Sequence, residues 1–176
     1  MTLRGTALLL AVLAALGGYL WLVDGPPRGT SGGPGASSDV PPLLARPPAE
    51  VVRVDLAEGE RRLTAIRRDD GWRDPGGRLW GHDVVSDLLA ALGSLRPLTI
   101  VARDPLAPAD YGLGPAAPRL MLLDADGRRI LALELGERNP ASTGLYVRRV
   151  GEQEVMLVGA VLGWEVDKLR AAARGP

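Results

Sequence analysis

His82 is the chain's only imidazole, and Asp83 and Asp87 follow it closely enough to share one end of a helix. Asp69, Asp70 and Asp74 lie just upstream. An imidazole beside carboxylates can ligate a divalent ion or relay a proton. Transition-metal sites, however, recruit several His or Cys ligands, and this chain has no cysteine and no second histidine. Helix capping accounts for Asp83 without a metal. Ser142 and Thr143 could supply a hydroxyl nucleophile, but such a group needs a base beside it, and His82 is sixty residues away from Ser142.

Two further motifs fail on geometry. Asp124-Ala-Asp126-Gly127 has the glycine of a calcium loop. Aligning that glycine puts Leu122 at the first ligand position and Leu133 where a bidentate glutamate belongs. A hairpin turn is the better reading. Gly112-Leu-Gly114-Pro115 is not followed by a helical pattern, and its proline lacks the N–H that phosphate cradling uses. No catalytic residue, metal ligand or cofactor site is expected, and the chain reads as a non-enzyme. Carboxylate and lysine chemistry stay open, the former as a hydrolase with two facing acids in a deep pocket.

What remains is recognition. The loop from Gly136 to Gly144 is polar and framed by strand patterns, so Arg138, Asn139, Ser142 and Thr143 are candidates for an interaction surface. Its plain alternative is an ordinary loop between hairpins. Aromatic residues are few, with no phenylalanine at all. Trp72 and Trp80, set around a Pro-Gly-Gly turn, and Tyr111 and Tyr146 could form a patch for protein or for sugar stacking. In a core without phenylalanine, tryptophans otherwise fill volume.

The elements that must position these residues are legible in outline. Val52, Val54 and Leu56 alternate within 51–56 and read as a strand, followed by a second strand over 62–68. Asp83 opens a helix running to about Leu95, with Val84, Val85, Leu88, Leu89, Leu92 and Leu95 on one stripe. Arg96-Pro97 ends it. A short strand is expected over 98–102, then a Pro-rich connection. Residues 120–135 form a hairpin around Asp126-Gly127, and 145–150 pairs with 154–158 around Gly151-Glu152. A closing helix covers 161–173, with Leu162, Val166 and Leu169 inward. Strands then a helix, twice over, define an α+β domain of antiparallel β-hairpins with two packing helices, arranged as two related ββα-type halves.

That domain is expected over 49–176. Before it, residues 24–48 read as a disordered linker with seven prolines and five glycines in twenty-five positions. As a flexible chain it reaches on the order of 28 Å. Residues 5–23 carry no charge, and as a helix they span roughly 28 Å, close to a bilayer's hydrocarbon thickness. Bulky residues fill the region where a signal peptidase needs small ones, so residues 1–23 are expected to stay as a transmembrane signal anchor. Arg4 before the span and Asp24 after it place the N-terminus inside and the domain outside. Twenty-one basic residues balance twenty-one acidic ones, which leaves no electrostatic footprint for nucleic acid.

Several short motifs occur in a characteristic order. They are the apolar segment ending in Tyr19-Leu-Trp-Leu-Val23, Asp70-Gly-Trp72 with Pro75 beyond it, and the helix Asp83 to Leu92. Asp110-Tyr-Gly-Leu113 before a proline is the most distinctive, followed by Leu135-Gly136, Asn139-Pro140 and Gly144-Leu-Tyr-Val-Arg148. In these residues the chain resembles the bacterial family named domain of unknown function DUF4340. The resemblance carries no catalytic residues. It implies a membrane-anchored accessory of an envelope complex, since some members are encoded near ABC-type transporters similar to gliding-motility export systems. The chain is shorter than many members and has a long Pro/Gly linker, which counts against a role built on tandem copies. The expected function is a tethered, non-catalytic interaction domain on the periplasmic or outer side of a bacterial inner membrane. A glycan-binding module using the tryptophans is the alternative.

Overall fold

A computed structural model describes residues 41–81 and 83–174. The expected span at 5–23, residues 24–40 of the expected linker and His82 lie outside the described residues. Among the described residues no helix is long and apolar enough to cross a membrane.

Among the described residues eight strands form one antiparallel sheet. They are β1 (Arg53–Glu58), β2 (Arg61–Arg68), β3 (Gly71–Arg73), β4 (Thr99–Ala102), β5 (Arg119–Leu123), β6 (Arg129–Arg138), β7 (Gly144–Arg149) and β8 (Val155–Gly159). Among the described residues two α-helices accompany them, α1 (Val84–Ser94) and α2 (Val161–Arg174). The domain is therefore α+β, with the sheet order β3-β2-β1-β5-β6-β7-β8-β4. Strands of the two expected halves merge into this single sheet. β1 pairs with β5, and α1 carries the chain from β3 at one edge to β4 at the other.

The period-two alternation of the strands decides which side is dry. Val54 and Leu56 lie opposite Leu122 and Leu120, which lie opposite Leu131 and Leu133. Together with Val147 and Val158 these side chains join Val85, Leu88, Leu89 and Leu92 of α1 and Leu162, Val166 and Leu169 of α2 in one core. Asp83 stands at the N-cap position of α1, where its carbonyl accepts the Asp87 N–H at 2.7 Å. Lys168 of α2 reaches Asp87 of α1 and Glu165 of its own helix, at 3.3 and 2.9 Å. Glu165, then Asp87, hold the lysine pKa above its ordinary value.

The domain begins earlier than the expected boundary at Ala49. Leu43 and Leu44 are 0% and 3% exposed, and their N–H groups donate to the carbonyls of Leu95 and Leu92 at 2.9 and 3.1 Å. Residues 43 and 44 thus close the C-terminal end of α1, whose last carbonyls need partners. The prolines around this apolar pair made it read as linker.

Candidate functional site

The side of the sheet away from the helices carries the charged partners of the same alternation. Glu134 on β6 lies in register between Arg119 on β5 and Arg148 on β7, so three charges of alternating sign cross three strands. Arg119 Nη2 donates to Glu134 Oε1 at 3.2 Å. Arg148 donates through Nε and Nη2 to Oε2, at 3.0 and 2.6 Å. Glu134 is only 6% exposed, and a carboxyl group that deep needs hydrogen-bonding partners of this kind to offset its loss of water. A second buried carboxylate, Asp55 on β1, accepts from the Thr64 hydroxyl at 2.6 Å and from Arg53 Nε at 3.0 Å.

A loop shelters the Glu134 row. After β4 the chain makes a short 3-10 turn at Pro108–Tyr111, and Gly112 then takes a φ of 69°. Only glycine adopts that conformation readily. A side chain there would also press on the Glu137 backbone nitrogen, with a Cβ 2.7 Å from it. The turn drives Leu113 down onto the sheet, where it is 1% exposed yet separate from the helix-side core. Tyr111 meets Tyr146 of β7 edge to face, with ring centroids 5.1 Å apart. Between loop and strands lies a cleft of about 390 Å³, with Pro108, Ala109, Leu113, Gly114 and Pro115 on one side and Arg119, Glu134 and Arg148 on the other.

The eight candidates read from the sequence divide into three groups. Tyr111 and Tyr146 come together as described. Arg138, Asn139, Ser142 and Thr143 form a loop that satisfies itself. Asn139 Oδ1 accepts from the N–H groups of Thr143 and Gly144, while its Nδ2 donates to Thr143 Oγ1. Ser142 takes a φ of 56°, and Arg138 turns to Asp167 of α2 at 3.1 Å. The loop's shape is thus set by its own hydrogen bonds and by the contact with α2. Trp72 and Trp80 sit far along the sheet at the β3 edge and are 7% and 5% exposed, so they do not form the exposed patch expected of them. Trp80 Nε1 donates to the Thr64 carbonyl at 3.2 Å, and the Arg67 guanidinium lies 5.0 Å from the Trp72 ring centroid. Both rings edge a cleft of about 350 Å³, but Arg67 takes the place on Trp72 that a sugar would need.

Three of the acidic residues considered for a metal are engaged in ion pairs. Asp70 pairs with Arg73, Asp74 with Arg78 and Asp87 with Lys168. Among the described residues no group of three or more potential ligands is placed to hold a metal ion.

Two features escaped the sequence. One is the Glu134 row, signalled only by a lone charge within the apolar run Leu131 to Leu135. The other is the apolar exposure around β4. Leu98 is 63% exposed, Val101 lies outward and Leu106 is fully exposed. β4 pairs with β8 on one side, and among the described residues no strand pairs with its other side. The opposite edge is different, because the turn after β3 folds back on it. There the Trp80 N–H donates to the Trp72 carbonyl at 2.8 Å.

No curated protein and no solved structure matches the chain. A family model does match, over residues 81–173, which runs from just before α1 almost to the end of α2. The match takes in the covering loop, the Glu134 row and β4, and leaves β1, β2, β3 and both buried tryptophans outside it. Since that stretch is more than half of the sequence, the chain belongs to the family described as Domain of unknown function (DUF4340).

Proposed function

We propose that the domain is a non-catalytic protein-interaction module, held on the outer side of a bacterial inner membrane by residues 5–23. Its partner is a membrane complex, of which an ABC-type transporter is the leading candidate. The observation that carries this reading is the β4 edge. A strand that no described strand pairs on one side, with Leu98, Val101 and Leu106 exposed within nine positions, offers both backbone pairing and apolar contact to a protein partner. Soluble domains normally blunt such an edge, and β4 is indeed short and irregular between Ile100 and Ala102. Its apolar side chains are not blunted.

Support for the other readings is weaker. A glycan module would use open tryptophan faces, and the Trp72 and Trp80 rings are buried. A carboxylate hydrolase would use acids with free lone pairs. Asp55 and Glu134, the buried acids of the open sheet face, are already engaged by Arg53, Thr64, Arg119 and Arg148.

Co-purification of the full chain from detergent-solubilised membranes tests the proposal. The expected result is a stoichiometric membrane-protein partner that is lost when Val101 becomes Lys. Recovery of no partner, or equal recovery by Val101→Lys, rejects it.

A further inference from the structure

We propose that the cleft between the covering loop and the β5–β7 surface binds a ligand that joins a carboxylate to a small apolar body. Pro108, Ala109, Leu113 and Pro115 supply an apolar wall, and Arg119 and Arg148 supply the charge. At about 390 Å³ the cleft lies in the size range of small-molecule sites.

The charge balance selects an anion. Two guanidinium groups and one carboxylate line the cleft, so one positive charge is uncompensated there. Donor supply points the same way. Each guanidinium offers about five N–H groups in a planar fork suited to carboxylates. Glu134 takes one from Arg119 and two from Arg148, and among the described residues nothing else accepts from either side chain. The remaining donors serve an incoming carboxylate, while the prolines and Leu113 dehydrate the adjoining apolar group. Glu134 acts as an internal competitor that keeps the two arginines in place when no ligand is bound. This site lies apart from the β4 edge and does not depend on the partner-binding reading.

A free organic acid and the C-terminus of a peptide share this chemistry. Calorimetric titration of the purified full-length chain separates them, using N-acetyl-leucine, the tripeptide alanyl-alanyl-leucine, and the amide of each. Both acids bind, and both amides bind more weakly by about tenfold or more, the worth of one charge-assisted hydrogen bond. A tripeptide acid tighter than N-acetyl-leucine identifies a chain terminus as the source, and the reverse order identifies a free acid. Arg119→Gln weakens both acids by about tenfold or more. Glu134→Gln strengthens them, because it removes the competing charge and keeps an oxygen for the arginines. A merely damaged fold would weaken binding in both variants. The proposal is overturned if the amides bind as well as the acids, if none of the four probes binds, or if the two variants shift affinity in the same direction.

Discussion

The carbonyl oxygen of Tyr111 lies over Gly136, in the space a side chain would occupy. A Cβ on Gly136 would overlap that oxygen and would stand 3.1 Å from the Tyr146 carbonyl and 3.2 Å from Leu113 Cδ2. The covering loop therefore rests on bare backbone, at the irregular stretch of β6 between Leu135 and Arg138. Gly136→Ala should lift the loop, separate Tyr111 from Tyr146 and destabilise the domain by about 1–3 kcal/mol, as overpacking of a close contact does. Urea denaturation and near-ultraviolet circular dichroism of the tyrosines check both effects. Unchanged stability together with an unchanged tyrosine signal would mean that the loop does not sit there.

Glu134 should matter more to stability than any exposed acid in the chain. Truncating Glu134→Ala leaves Arg148, whose side chain is 18% exposed, without its partner. Breaking a buried pair from one side costs about 3–5 kcal/mol, and the half-exposed Arg119 adds little because water screens it. Glu134→Gln should cost clearly less, since the amide oxygen still accepts. Equal losses for the two variants, measured by denaturant unfolding, would show that charge is not what the pocket requires.

Short-range rules made the hairpins and α1 legible. Asp126-Gly127 forces a turn, and the Leu88, Leu89 and Leu92 spacing shows a helix face wherever it occurs. The order of the strands was not legible. Pairing β1 with β5 joins Leu56 to Leu120, and no local signal records which distant strand completes a sheet. The Glu134 row was hidden for the same reason, since its arginines are fourteen and fifteen residues away and only register brings them together. Burial misled in the other direction. Trp72 and Trp80 flank a turn of surface composition, yet with no phenylalanine available they fill the core beside β2.

The early start of the domain gives a third prediction. A chain that begins at Ala49 loses Leu43 and Leu44 and the two backbone hydrogen bonds at the end of α1. Leu43→Ala alone should cost about 2–5 kcal/mol, the usual range for a buried leucine. Thermal unfolding of the full chain, of Leu43→Ala and of the shortened chain should rank them in that order of decreasing stability. A shortened chain as stable as the full one would place the boundary at Ala49 after all.

The hairpin between β5 and β6 should be sensitive to acid through Asp124. Desolvation by the surrounding chain pushes the Asp124 pKa up. The N–H groups of Arg128 and Asp126, donating to Oδ1 at 2.8 and 3.0 Å, and the Arg46 guanidinium outweigh it and hold the carboxyl below its ordinary 3.8. A folded pKa below the unfolded one means that the unfolded chain binds the proton more readily. The stabilisation is therefore present above the unfolded value of 3.8 and is lost as pH falls through the lower folded value. Asp70, drawn down chiefly by its hydrogen bond from Arg73, adds to the same acid-side slope. Asp124→Asn keeps an oxygen for the two N–H groups but cannot titrate. Its unfolding midpoint should fall less steeply than that of the parent chain as pH drops from about 5 to 2, with the slope due to Asp70 remaining. Superimposable pH profiles for the two chains would show that Asp124 carries none of the acid sensitivity.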